Sequence, residues 1–497
     1  MKDQKKMRVW WVPRLRMVGL FCLSILIIAQ IKLWPPLIFI FSSSSSSSSS
    51  SDHLSLRLSL SSDNFSQSPT NQLPPEEARG DIKPDRLEWP SSQPRIATQI
   101  HCDRTSGRYD FCSISGSTVL DPTTYTFYVL GPEGSKRPNI VEMIKPSPRK
   151  FDKFLMPRVK NITIISSSES PPCQVQHNVP ALVFSLAGYI KNFWHAFNDG
   201  FVPLFITVNT VFPNGEDFVI VLTEGPDWWA PRYADILKVF TKQPIITLKS
   251  ETITHCFPSA HIGLISHGFM GINQTLIPNS KTYMHFRDVF REAYEGHHSH
   301  SQTLISMKNP TSRRPRLLFA SRKGATTRAM VNKREAMRVM KEVGFDVVVF
   351  EPNMKTSLRE SYALVSSSHA MIGVHGAALT HSVFLKPASV LMQIVPIGLE
   401  WAARAFFGRP AKGIKLEYME YKIEPQESSL ADKYGKDSLM VRDPLALQKG
   451  GWPPELMNIY LLDQNVTLDL VRFRRYLEEG YKKAKMFMHT QGNGIRL

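Results

Sequence analysis

The chain has 497 residues, 42% of them hydrophobic, which is enough apolar material for two medium-sized domains with real cores. Its formal net charge is +17, yet no zinc-finger cysteine spacing and no RNP-like aromatic motif accompanies that charge. Nucleic-acid binding is therefore set aside, and acidic glycans, anionic nucleotide sugars or lipid head groups fit the charge better, with plain solvated surface as the competing reading.

Residues 1–16 hold Lys2, Lys5, Lys6, Arg8, Arg14 and Arg16 against the single acid Asp3, and an apolar run from Met17 to Phe41 follows. Gln30, Lys32 and the Pro35-Pro36 pair shorten the span, so 1–16 reads as a cytosolic tail and 17–33 as a transmembrane anchor. The basic flank predicts a single-pass type II protein with everything after the anchor lumenal. A cleaved signal peptide competes, opposed by the long basic flank and the lack of a small-x-small cleavage site. The serine run Ser42–Ser51 opens a Ser-, Pro- and Asn-rich stretch that cannot build a core, and 34–94 is expected to be a low-complexity, disordered stem. Beyond it, Cys102, Cys112, Cys173 and Cys256 form an even set suited to an oxidising compartment, with three pairings open and no C-x-x-C spacing to suggest a metal. Sequons at Asn64, Asn161, Asn273 and Asn465 are candidate glycosylation sites on the lumenal side.

From 95 to 300 apolar β-rich runs (TYTFYVL, NITIIS, ALVFSL, FVIVLT, PIITL, HIGLI) alternate with helical ones, which predicts an α/β domain with a largely parallel sheet. A helix over about Lys281–Tyr294 closes it. Within the helical stretch, His195 and Asp199 are four residues apart and share a face. A carboxylate that fixes a histidine tautomer makes a general base usable near neutral pH, and either group could take the proton from a sugar hydroxyl. The competing reading is a core histidine and a helix that ends at Asp199-Gly200. Trp194 offers a face for stacking on a sugar, against the commoner fate of burial.

The polar stretch GHHSHSQTLISMKNPTSRRP is an expected interdomain linker, and a second α/β domain spans 301–480. Its first strand, from about Arg316 to Ser321, leads into a loop carrying Arg322, Lys323 and Arg328, then a helix starting near Asn332. Asn332 and Glu335 have capping-box spacing, with Ala336, Val339 and Met340 as the apolar stripe. Three cations between a strand end and a helix start repel one another unless an anion sits among them, and the forked guanidinium groups of Arg322 and Arg328 suit phosphate better than Lys323 does. Downstream, the buried strand AMIGV ends at His375-Gly376, and Ala377, Ala378 and Leu379 open a helix whose free N–H groups would face an anion. A tight turn whose glycine only permits close packing is the alternative. A terminal helix near Leu468–Lys485 could cross back to the first domain, and 481–497 reads as a basic tail. The chain contains no D-x-D triplet of the kind that holds a divalent metal on a nucleotide sugar, so no metal site is expected. Arg322, Arg328 and the helix start after Gly376 would then neutralise a diphosphate themselves.

NFWHAFNDGFVPLF, LLFASRKGATTRAMVNKREA and MIGVHGAALTHSVFLKP, in this order and preceded by HCDRTSGRYDFCSISG, resemble the plant members of glycosyltransferase family 61 from about His101 to Gly480. The resemblance implies an inverting, metal-independent Golgi transferase of the GT-B class, with two Rossmann-like domains facing across a cleft, a UDP-sugar co-substrate and no cofactor. It further implies that Arg322, Arg328, Asn332, His375, Gly376 and Ala377 hold the donor, while His195 with Asp199 supplies the base, which of the two being open. The similar plant branch decorates xylan, so the expected activity is transfer of a pentose, xylose in β-1,2 linkage first, from UDP to the xylan backbone of the cell wall. Arabinofuranosyl transfer to xylan, β-1,2-xylosyl transfer to N-glycan cores and a non-catalytic glycan- or partner-binding Golgi protein are the alternatives.

Overall fold

A computed structural model describes residues 100–130, 140–296, 314–322, 324 and 326–492. The expected anchor and stem, Asn64, Lys323 and residues 297–313 of the linker lie outside them. Among the described residues no helix is long and apolar enough to cross a membrane.

Ten strands make the first sheet: β1 (Ile100–Asp103), β2 (Phe111–Asp121), β3 (Thr126–Leu130), β4 (Val141–Ile144), β5 (Ile162–Ser167), β6 (Val175–Gln176), β7 (Ala181–Phe184), β8 (Val219–Leu222), β9 (Ile246–Thr247) and β10 (His255–Ile262). The path is β4-β5-β3-β2-β10-β7-β8-β9, with β1 on β2 and β6 on β10. The expectation of a largely parallel sheet holds from β10 through β7 and β8 to β9, and for the β6/β10 and β3/β5 pairs, but not for the rest. β2 is antiparallel to β1, β3 and β10, and β4 is antiparallel to β5. The cause is connection length: only residues 122–125 separate β2 from β3, too few for the crossover a parallel pair needs. Of the three open disulfide pairings the fold has Cys102–Cys112, across the β1/β2 register, and Cys173–Cys256, which ties the approach to β6 onto β10.

The second sheet contains β11 (Arg316–Ala320), β12 (Asp346–Phe350), β13 (Ala370–Val374), β14 (Val390–Val395) and β15 (Glu417–Lys422) in the order β12-β11-β13-β14-β15, every neighbour parallel. β13 and β14 are buried along their whole length, as strands covered on both faces must be. Strand order reverses between β11 and β13. In an open parallel sheet that reversal leaves a crevice beyond the carboxyl ends of the two strands, where ligands bind.

Three local expectations change. The helix Lys333–Val343 forms, but Asn332 does not cap it; its amide instead donates to Leu468 O (2.8 Å) and accepts from Leu468 N (3.0 Å). The segment before the helix is stitched to the chain after Tyr460, with Arg328 N on Gln464 O at 2.6 Å and Val331 N on Val466 O at 2.8 Å, so backbone partners reach Asn332 first. The segment after Gly376 is a 3-10 helix, Ala377–Phe384, in place of the expected α-helix. The terminal helix Leu470–Gly492 packs on Lys333–Val343, β14 and β15, so it stays with its own sheet and takes in much of the expected basic tail.

The two sheets share a core. Phe197 of the first half lies 5.4 Å from Phe290 and 6.4 Å from Phe384, and Phe290 lies 5.3 Å from Phe384 of the second half. All three rings are fully buried, and each such ring contributes roughly 1.5–3 kcal/mol. The helix Tyr283–Glu295, capped by Thr282, carries Phe286 and Phe290 into this junction.

Candidate active site

β11 and β13 deliver their loops to the same crevice. Arg322 lies just beyond β11, and a Cβ placed on Gly376 would sit 3.3 Å from Arg322 Nη1, so the glycine makes room for the guanidinium. Arg328 enters from the same loop with a left-handed backbone (φ 51), a conformation side-chain-bearing residues adopt at a cost, and donates from Nη1 to the carbonyl of His375 at 3.3 Å. Arg322 Nη1 and Arg328 Nε are buried, and among the described residues neither meets an acceptor. Burial and the nearby Arg322 charge push Arg328 down to about 10, and burial lowers Arg322 as well. Two buried guanidinium groups with unspent N–H donors cost several kcal/mol unless an anion joins them. The N–H groups of Ala377 and Ala378 precede the first bond of the 3-10 helix, Leu379 N to Gly376 O, and add donors at the same point.

His375 is fully enclosed at the end of β13. Tyr418 Oη donates to Gln393 Oε1 at 2.7 Å, and Gln393 Nε2 donates to His375 Nδ1 at 2.8 Å, which leaves the imidazole proton on Nε2. The Tyr418 hydroxyl is also 3.0 Å from Glu420 Oε1. Sequence reasoning missed this relay, although Gln393 is the one polar side chain in the strand VLMQIV. Gln393→Leu should cost about 1–3 kcal/mol of stability in chemical denaturation by orphaning both neighbours. Adding Tyr418→Phe should cost less than the sum of the two single changes, and full additivity would show that the relay is not coupled.

The second group lies on the helical run from Phe193 to Val211, which includes a π-helical turn at Ala196–Phe201. Such turns re-aim side chains and recur at functional sites. The helix continues through Asp199-Gly200, contrary to the competing expectation of an end there. His195 Nδ1 donates to Asp199 Oδ2 at 2.7 Å. Asp199 Oδ1 accepts from Asn198 Nδ2 (2.6 Å) and Arg149 Nη1 (3.2 Å). Burial alone would raise the Asp199 pKa, but the His195 hydrogen bond and the Arg149 charge outweigh it, and the carboxyl stays below its ordinary value, ionised. With both Asp199 oxygens engaged and His195 Nδ1 committed, His195 Nε2 is the atom left to accept a proton. Arg149, held also by Asp152 at 2.9 Å, is a third member that the sequence does not signal.

The two groups are joined by packing. Phe193 stacks on His381 of the 3-10 helix at 4.0 Å, Trp194 lies 4.3 Å from Phe406, and Phe406 lies 6.0 Å from His375. Trp194 is only 8% exposed, so of its two readings, a face for a sugar or burial, the commoner one holds. Burial pushes both His375 and His381 down to about 3 from the ordinary 6.5, with Arg328 and Arg322 adding to the effect at His375. Between those values the unfolded chain binds more protons than the folded one, so the stabilisation is complete above pH 6.5 and is lost as pH falls. The thermal midpoint should therefore decline from pH 6.5 to 5, with a shallower decline in His381→Asn. A midpoint independent of pH in that range would contradict this.

Of the expected donor residues, Arg322, Arg328, His375 and Gly376 come together, Ala377 opens the adjoining 3-10 helix, and Asn332 spends its amide on Leu468. Glu400, just past β14, was not foreseen; burial raises its carboxyl, and Oε2 is enclosed with no partner among the described residues. Among the described residues no cluster of three or more His, Cys, Asp or Glu could hold a metal ion. Asn161 and Asn273 are exposed, whereas Asn465 is half-buried and accepts from Ala329 N at 2.9 Å.

Residues 193–392, which include His195, Asp199, Arg322, Arg328, His375 and Gly376, match the Glycosyltransferase 61 family model. The chain is 33% identical over 423 residues to the xylan glycosyltransferase MUCI21 of Arabidopsis thaliana, covering 82% of this chain and 84% of that protein. It is 35% identical over 380 residues to the alpha-1,3-arabinosyltransferase XAT3 of Oryza sativa subsp. japonica, covering 76% and 64%. It is 31% identical over 395 residues to the beta-1,2-xylosyltransferase XYXT1 of the same plant, covering 76% and 83%.

Proposed function

The chain belongs to glycosyltransferase family 61, and from that premise we propose that this glycosyltransferase moves a pentose, xylose in β-1,2 linkage first, from a UDP-sugar to the xylan backbone. The observation that carries the donor half is the pair of buried, unspent guanidinium N–H groups of Arg322 and Arg328 at the switch point of the parallel sheet. His195 Nε2 takes the proton of the acceptor hydroxyl while Asp199 balances the imidazolium that forms. The acceptor oxygen attacks the anomeric carbon from the face opposite the diphosphate, the bond to UDP breaks, and the released charge passes to Arg322, Arg328 and the N–H groups after Gly376. Configuration inverts in this single displacement. The reading is metal-independent, since these groups can take up the diphosphate charge and the chain carries no D-x-D triplet. The two halves act as a GT-B pair, with the second sheet holding the donor, and the N-terminal anchor places both in the Golgi lumen.

Arabinofuranosyl transfer is the second reading, favoured by the likeness to XAT3. Both are tested by incubating the full chain in detergent with UDP-xylose, UDP-arabinofuranose and xylo-oligosaccharides, with and without chelator. Xylosylated product in chelator supports the first reading. Arabinosylated product supports the second, and activity abolished by chelator contradicts the metal-free mechanism.

A further inference from the structure

Chemistry at His195 needs an acceptor sugar held with one hydroxyl at Nε2, and among the residues described around the dyad the aromatic ring with open surface is Tyr189. The residue is 38% exposed, and its ring centroid is 4.9 Å from that of His195, tilted by 40°. The placement is enforced on both sides. Gly188 is left-handed (φ +102), and Leu155 packs against its Cα so closely that a Cβ would collide. Ile190 on the other flank is buried at 5%. Leu155 and Ile190 thus hold the turn down while the ring between them is turned outward.

Arg149 fixes the ring further. Its guanidinium carbon is 5.3 Å from the centre of Tyr189 and 5.1 Å from that of Phe151, and the same group pairs with Asp199 and Asp152. One face of Tyr189 is therefore backed by a cation that also grips the carboxylate of the dyad. A ring so held loses little freedom when a ligand covers its other face. The ligand that suits a rigid, half-exposed phenol beside a base is a pyranose, whose C–H face stacks on an aromatic ring while its hydroxyls stay free to react. Phe154, 70% exposed, precedes the Leu155 that packs on Gly188 and is the next exposed ring along that turn.

We propose that Tyr189 is the acceptor platform of this enzyme, stacking on the pyranose ring whose hydroxyl His195 deprotonates, with Phe154 meeting an adjacent sugar of an extended glycan. This rests on the assignment of the dyad as the base. The test compares detergent-solubilised full-length wild type, Tyr189→Ala, Tyr189→Phe and Phe154→Ala for acceptor KM, kcat and calorimetric UDP affinity. Xylo-, manno- and N-acetylglucosamine-terminated oligosaccharides serve as acceptors.

Tyr189→Ala should raise the acceptor KM about tenfold and leave UDP affinity as in wild type, while Tyr189→Phe should keep KM within about twofold. Phe154→Ala should raise KM for long acceptors more than for short ones. An unchanged acceptor KM in Tyr189→Ala, or an equal loss of UDP affinity, would overturn the platform. If wild type uses a mannose- or N-acetylglucosamine-terminated acceptor instead of xylo-oligosaccharide, the xylan reading fails, and the same Tyr189→Ala comparison on that acceptor still decides the platform. A wild type that acts on none of these glycans overturns both.

Discussion

Replacing Arg328 by alanine is expected to weaken UDP binding about a hundredfold, on the order of 3 kcal/mol, because truncation removes a buried donor from an otherwise enclosed anion. Arg322→Ala should act in the same direction. What separates a ligand-binding pair from structural arginines is the behaviour of the nucleotide-free protein. Arg322 Nη1 is enclosed with no acceptor among the described residues and lies close enough to depress Arg328. Removing one of two mutually repelling buried charges relieves desolvation and repulsion, so Arg322→Met should leave the thermal midpoint of the free protein unchanged or raised. The same variant should abolish most of the midpoint increase that UDP produces in wild type. A free protein that loses several degrees, with the UDP-induced increase intact, would assign Arg322 to structure alone.

The second large effect belongs to the dyad. His195→Gln should lower kcat by 10²–10⁴-fold, the range of a lost general base, with UDP affinity as in wild type. Asp199→Asn keeps the size but removes the charge that fixes the His195 tautomer, and it should lower kcat by a similar factor. The double variant should be hardly worse than either single one, since two members of one unit fail together. Their stabilities should differ. Asp199 also pairs with Arg149 at 3.2 Å, so Asp199→Asn leaves that buried cation with Asp152 only and should lower the thermal midpoint, whereas His195→Gln should not. Equal midpoints combined with full activity in both variants would remove the dyad from the mechanism.

Local spacing made both groups legible. The four-residue separation of His195 and Asp199 survives in the fold because the run remains helical through the π turn. The strand before Gly376 is buried at every position, as its apolar pattern suggests. What was not legible depended on long-range packing. Arg149 stands fifty residues before Asp199, and only the packing of its loop against the dyad helix brings them together. Asn332 carried a sound capping pattern, but a segment 136 residues away offered two backbone partners and prevailed. The antiparallel part of the first sheet was masked because β-rich runs look alike whichever way they pair; the short β2–β3 connection was the available clue. Gln393 could have been found, since a lone amide in a buried strand needs partners, and those partners are His375 and Tyr418.

In the proposed mechanism a UDP diphosphate is neutralised at the β11/β13 crevice by this chain's own guanidinium and backbone N–H groups. The measurement that tests it most directly is an experimental structure of the full chain with UDP in the presence of chelator. Phosphate oxygens are expected within hydrogen-bond distance of Arg322 Nη1 and Arg328 Nε, beside Gly376. Nucleotide lodged elsewhere, or bound only when a divalent cation is restored, would contradict it.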